Sequence, residues 1–262
     1  MELAATARAM LNRYRNGRDI KNALKSAPEE LRKSLSASFD KPSNAMLKIE
    51  GRRNILLSDP SEISIVDFGA GASTDELSIE EQKKGRFLTS TVALSARASK
   101  PELWARFLYN LTINHAAKNV LEMGTCVGIS GAYIASALRK TNGRLTTLEG
   151  DPERGRISGE TFSVLELNEI ADVIIGPFHE TLNTVLAERG PFDLVFVDGH
   201  HDGEATVQYF DILKSHVIQN AIIVFDDIRW SAGMKQGWDR IASQPGVEPV
   251  DLGGIGLVRI TA

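Results

Sequence analysis

From residue 119 onward, apolar and polar positions alternate in blocks of regular size. Short apolar runs appear at "NVLEMG" (119–124), "RLTTLEG" (144–150), "ADVIIG" (171–176), "FDLVFVDG" (192–199) and "AIIVFDD" (221–227). Helix-length segments separate them at 129–140, 152–168, 180–189, 203–215 and 231–243. Runs that are apolar on both faces predict strands covered by helices above and below, hence an α/β fold with a doubly wound, mostly parallel sheet. The chain closes on "VEPVDLGGIGLVRI" (247–260), two strand-like runs around Gly253 and Gly254, which predicts a terminal hairpin.

The first hundred residues lack this alternation. Over 2–38, apolar residues recur at helical spacing among many charges, which predicts two or three short helices, with Pro28 in the first turn of one. "AMLKIEGRRNILLS" (45–58) reads as a small hairpin turning at Gly51, and "EISIVDFG" (62–69) as a further strand. Residues 101–116 return to a helix that starts at Pro101. The division expected is an N-terminal cap or lid of helices and a hairpin over 1–100, then a ligand-binding domain over 101–262.

Charge and composition narrow the function classes. The net charge is −4, which gives no global attraction to nucleic acid or to membranes. Residues 1–60 carry 12 Lys+Arg against 7 Asp+Glu, leaving 18 against 27 in the rest, so a basic segment precedes an acidic body. The single cysteine, Cys126, excludes an intrachain disulfide and any multi-cysteine metal site. With no apolar leader and no run of membrane-spanning length, a cytoplasmic protein is expected.

Two stretches offer the same local signal of an apolar run, an acid and then glycines: "SIVDFGAGAS" (64–73) and "VLEMGTCVGISGAY" (120–133). A nucleotide loop needs a following helix N-terminus and an acid at the end of the next strand to take ribose hydroxyls. After Gly124 and Gly128, Ser130 opens a helix and the next strand ends on Glu149, 21 residues past Gly128. After Gly69 and Gly71 comes the charged "ASTDELSIEEQKKGRF", and no strand with a terminal acid arrives in range. That first turn is either a glycine-enabled bend in a covering segment or part of the rim of the site. The second turn is G-x-x-x-G preceded by Glu122, an acid suited to a cationic ligand rather than a pyrophosphate. S-adenosylmethionine is such a ligand, with a cationic amino group and sulfonium.

"VLEMGTCVGISGAYIA", "LTTLEGDPE", "FDLVFVDGHHDGE" and "AIIVFDDIRW" together resemble the successive strand-end motifs of class I S-adenosylmethionine-dependent methyltransferases, over roughly residues 101–262. The last two resemble in particular the metal-dependent O-methyltransferases, a group that includes the catechol, caffeoyl-CoA and antibiotic-sugar enzymes. The resemblance implies a seven-stranded sheet of order 3-2-1-4-5-7-6 with the last strand antiparallel. It implies that Glu122, Gly124, Gly128, Ser130, Glu149, Gly176, Phe178 and Asp198 bind the cofactor. Asp151 and Pro152 read as the N-cap and first residue of the following helix.

Asp198 ends the fourth of the apolar runs, and Asp226 with Asp227 ends the fifth. Three carboxylates converging on one pocket would repel, at roughly 4 kcal/mol for two charges ~4 Å apart at an effective dielectric near 20. With the resemblance, this predicts a divalent ion on Asp198, Asp226 and Asp227. All-oxygen ligands favour Mg²⁺, with Ca²⁺ or Mn²⁺ as alternatives. His201 stands where catechol-type relatives carry a lysine and several sugar-modifying ones a histidine. It is the candidate general base or a further metal ligand beside the catalytic Asp198, with His200 its neighbouring competitor. The expected partner is a small hydroxylated acceptor, with a homodimer as the candidate assembly.

Overall fold

A computed structural model describes residues 27–69 and 83–261. Its centre is a seven-stranded sheet of β3 (Asn119–Met123), β4 (Arg144–Glu149), β5 (Ala171–Ile175), β6 (Phe192–Val197), β7 (Val217–Phe225), β8 (Val247–Asp251) and β9 (Gly256–Ile260), in the order β5-β4-β3-β6-β7-β9-β8. β9 runs antiparallel to both its neighbours and the other contacts within β3 to β7 are parallel. Counted from β3, this is the order 3-2-1-4-5-7-6 that the motifs imply.

The double-sided apolar runs have a direct structural meaning. Along β6, Leu194 and Phe196 face one hydrophobic core while Phe192, Val195 and Val197 face a second. β7 repeats the split, with Ile222 and Val224 on the first side and Ile223 and Phe225 on the other. Successive side chains of a strand point to opposite faces, so each strand feeds both cores. The first core is covered by α4 (Glu102–Asn114), α5 (Ile129–Thr141) and α6 (Pro152–Val164), the second by α7 (Phe178–Arg189), α8 (Gly203–Leu213) and α9 (Ala232–Ala242). α4, predicted over 101–116, is nearly wholly buried through Trp104, Phe107, Leu108 and Leu111.

The cap comprises α1 (Glu29–Ala37), α2 (Asn44–Leu57), an antiparallel pair β1 (Glu62–Asp67) and β2 (Arg86–Thr91), and α3 (Val92–Arg97). The hairpin expected over 45–58 is not present: that stretch is the helix α2. Ser43 caps it, accepting a hydrogen bond from the Met46 backbone, and Met46, Ile49, Arg53 and Leu56 are buried along one stripe. Gly51 has nothing within 4 Å of where a Cβ would stand, so it interrupts no packing and marks no turn. The helices expected before residue 27 and the glycine at 71 lie outside the described residues. The terminal hairpin forms as β8 and β9.

Candidate functional site

A cavity of about 660 Å³ opens at the carboxyl edge of the sheet, where β3, β4 and β6 end. Ligands of doubly wound sheets bind at this edge, beside the strand at which the order reverses. That strand is β3, and the loop after it carries the second glycine turn. Gly124 has φ +106°, and a Cβ there would stand 2.1 Å from the Asp198 carbonyl oxygen. No other residue lets the loop lie that close to the end of β6. Gly128, at φ +84°, is the N-cap of α5, and Ser130 follows in the first turn.

Glu149, buried at the end of β4, closes the loop from below. Its Oε2 accepts from the Cys126 backbone N–H at 2.7 Å and its Oε1 from that of Asp151 at 3.0 Å. Burial raises its pKa, against the opposing pull of these backbone hydrogen bonds and of Arg154. Glu122 lies deeper, fully buried, with its Oε2 accepting from Thr147 Oγ1 at 2.6 Å. Burial, with the nearby charges of Asp198 and Glu149, pushes its pKa up to about 8 against the hydrogen bonds from Thr147 and Ser130. Gly131 leaves room for that carboxyl, since a Cβ would stand 2.7 Å from Oε2.

Gly124, Ser130, Glu149, Phe178 and Asp198 line the cavity, whereas Glu122, Gly128 and Gly176 are not among its lining residues. Phe178 packs edge-to-face on Tyr209 with ring centroids 5.8 Å apart, and its ring presses on Gly199. Cys126 is held up to about 12 mainly by burial, and its Sγ donates to the Ser95 carbonyl, the behaviour of a packing residue.

The strand that leads to the first glycine turn also reaches this cavity. Asp151, besides capping α6, accepts from the Val66 backbone N–H at 2.6 Å through Oδ2, tying the end of β1 to the start of α6. The next residue but one, Phe68, packs against Gly150, where a Cβ would stand 2.8 Å from its ring. Val66, Asp67 and Phe68 all line the cavity. The strand up to Phe68 is therefore a wall of the cavity, and the turn beyond Gly69 lies outside the described residues.

The acid cluster lies across the cavity, at the ends of β6 and β7. His201 Nε2 stands 4.0 Å from Asp198 Oδ1 and 3.8 Å from Asp227 Oδ2, so these three groups face one another. His200 is turned elsewhere, with Nδ1 2.7 Å from the Tyr209 hydroxyl, and burial lowers its pKa. Trp230, exposed, sits 6.3 Å from the His201 ring.

Asp226 does not join that group. Its Oδ2 lies against the Lys100 ammonium, which is also 3.6 Å from Asp198 Oδ2. The side chains of Lys100 and Asp226 are only 9% and 4% exposed. Removing one partner from such a buried pair leaves an uncompensated charge, at a cost of about 3–5 kcal/mol. The sequence reading did not find Lys100. It stands 98 positions before Asp198, and a lysine ahead of a proline carries no signal of its own.

The expected seat for a divalent ion on Asp198, Asp226 and Asp227 does not fit this arrangement. One of the three carboxylates is occupied by an ammonium. Of the groups that remain, Asp198, His201 and Asp227 offer donor atoms within 4.8 Å of one another. The gaps of 4.0 and 3.8 Å exceed the roughly 3 Å between adjacent ligands of an octahedral ion with ~2.1 Å bonds, though not the ~4.2 Å between opposite ones, so an ion on these three would need the side chains to close in. An ion there would also face the Lys100 charge, where a divalent and a univalent cation ~4 Å apart repel by about 8 kcal/mol at an effective dielectric near 20.

Comparison with known proteins agrees with this architecture. The profile of a methyltransferase-domain family matches residues 121–228. A catechol O-methyltransferase of Mycobacterium tuberculosis is 30% identical over 152 residues, 56% of this chain and 67% of that protein. One of Niastella koreensis is 33% identical over 124 residues, 47% of this chain and 55% of that protein. The match thus spans between about half and two thirds of the length of these relatives. Among solved structures, cofactor-bound Rv0187 from MTB superimposes with a TM-score of 0.57 at 25% identity, covering 64% of this chain and 87% of that one. The O-methyltransferase from Bacillus cereus in complex with SAH shares the fold, with a TM-score of 0.56 at 24% identity and the same coverage. The sheet order, the glycine loop at its reversal point and the identity across two thirds of the mycobacterial relative place this chain in the family of class I S-adenosylmethionine-dependent O-methyltransferases.

Proposed function

We propose that this protein transfers the methyl group of S-adenosylmethionine to a hydroxyl of a small-molecule acceptor. The observation that carries the reading is one cavity with the Gly124–Gly128 loop and Glu149 on one side and Asp198 with His201 on the other. Glu149 and the loop amides hold the cofactor's ribose end, Phe178 flanks its base, and Ser130 serves its polar tail. The cofactor supplies an electrophilic methyl group on a sulfonium.

His201 removes the acceptor's hydroxyl proton at Nε2, and Asp198 and Asp227 hold the imidazolium that results. In the transfer itself the O–H bond breaks toward His201 and the oxygen pair forms the new C–O bond. The C–S bond breaks with its pair returning to sulfur. Placing both reactants in one enclosed cavity removes much of the entropic part of the barrier. The walls from β1 and α7 keep water from competing as a nucleophile.

The test uses labelled S-adenosylmethionine with a panel of catechols, phenols and sugar hydroxyls, alongside calorimetry with S-adenosylhomocysteine. The expected results are label transfer to at least one acceptor and saturable binding of the homocysteine product. A protein that neither binds that product nor transfers label would refute the reading.

A further inference from the structure

We propose that the Lys100 ammonium is the built-in cation of the acid cluster, doing for the acceptor oxygen what a bound divalent ion would do, so that this chain transfers methyl groups without a divalent metal. The inference rests on the O-methyltransferase reading above. It deepens that reading by naming the group that stabilises the developing oxyanion.

Several independent features fix the lysine in place. Lys100 directly precedes Pro101, which restricts its backbone to extended conformations. Pro101 is the N-cap of α4, a mostly buried helix on the first core, so the lysine backbone is anchored there. Opposite it, the Asp226 backbone N–H donates to the Val197 carbonyl at 2.9 Å and that of Asp198 to Met123 at 2.8 Å. The two carboxylates are thus held at the ends of neighbouring strands. An ammonium has three donors; this one lies against Asp226, with Asp198 Oδ2 3.6 Å away and beyond hydrogen-bond length, so it has a donor open to a ligand in the cavity that Lys100 and Asp198 both line.

The chemistry follows from that placement. As the hydroxyl proton passes to His201, negative charge builds on the acceptor oxygen, and a fixed, water-poor ammonium beside it stabilises that charge without reorganising. Lys100 neither gains nor loses a proton in the step. Asp226 keeps it aimed, a task that a pair on the surface would not perform.

Two measurements test this. In the first, wild-type protein stripped with chelator is titrated with Mn²⁺ and followed by electron paramagnetic resonance, with S-adenosylhomocysteine calorimetry on the same sample. The expected outcome is product binding with no stoichiometric Mn²⁺ uptake at micromolar ion. Stoichiometric uptake with product binding intact overturns the inference and leaves the methyltransferase reading standing, whereas loss of product binding strikes the reading itself. In the second, methyl transfer is measured with and without chelator for wild type, Lys100→Met and Lys100→Arg. Wild-type turnover should change by less than about twofold in chelator. Lys100→Met should lose at least a hundredfold in kcat while binding the homocysteine product within a few fold of wild type, and Lys100→Arg should recover part of the loss. Wild-type activity that collapses in chelator and returns with Mg²⁺, or a Lys100→Met protein that turns over normally, overturns the proposal.

Discussion

The two halves of the cavity handle buried acids in opposite ways. At the ends of β3 and β4, Glu122 and Glu149 are served by groups close at hand: threonine hydroxyls and backbone N–H donors of the same loop. At the ends of β6 and β7, Asp198, Asp226 and Asp227 are served by cationic or protonatable side chains, one of them from the cap. On the proposed reading the first half receives the cation that arrives with the ligand, at Glu149 rather than at Glu122, which does not line the cavity. The second already contains its own. That division matches a reaction in which a charged methyl donor meets an oxygen that must become negative.

The sharpest way to break the contrast is to remove the proposed base from the second half. His201→Ala is expected to lower kcat by about 10²- to 10⁴-fold, the usual worth of a positioned general base, with homocysteine-product affinity unchanged within a few fold. Single-turnover rates alongside calorimetry check this. A matching loss of cofactor affinity would mean the two halves are not separate.

Next in size is the first half's own key residue. Glu149→Ala removes the acceptor of two backbone hydrogen bonds and the expected ribose contact, and should weaken S-adenosylhomocysteine binding by about 2–3 kcal/mol, or some 30- to 150-fold. Calorimetry reads it directly. Equal affinity in wild type and variant would remove Glu149 from the cofactor site.

Confined to stability is the effect of Glu122. Its folded-state pKa of about 8 lies above the ordinary 4.5, so the folded chain keeps a proton that the unfolded chain has released. Stability is then highest below pH 4.5 as far as this group is concerned, falls as pH rises through the window to about 8, and is flat above. Glu122→Gln should remove that decline. Urea midpoints of both proteins without cofactor at pH 5, 7 and 9 test it, and parallel pH profiles for the two would contradict it.

The same contrast decides what could be read from the sequence. The loop of Gly124 and Gly128, Ser130 and Glu149 share one β-α-β unit, so their spacing alone assembles that half. The doubly wound, mostly parallel sheet was legible because its strands are apolar on both faces, whereas the strand order came with the resemblance of the strand-end motifs and not from periodicity. Lys100 was not legible, since only the packing of α4 brings it to Asp226. β2 was missed because "RFLTST" is exposed along most of its length and shows no period. α2 was misread because a glycine on a solvent-facing turn of a helix looks, in one dimension, like a hairpin turn. The strand before Gly69 was recognised as a strand, but its hold on Asp151 runs through the Val66 backbone, which leaves no trace in residue identity.

The most direct test of the central claim is a crystal structure of the protein soaked with S-adenosylhomocysteine. The account predicts the product against Gly124 and Ser130, its ribose on Glu149, and its sulfur facing the side of the cavity that holds Lys100, Asp198 and His201. Density for the product against the β1 turn at Gly69, with the Gly124 loop bare, would contradict it.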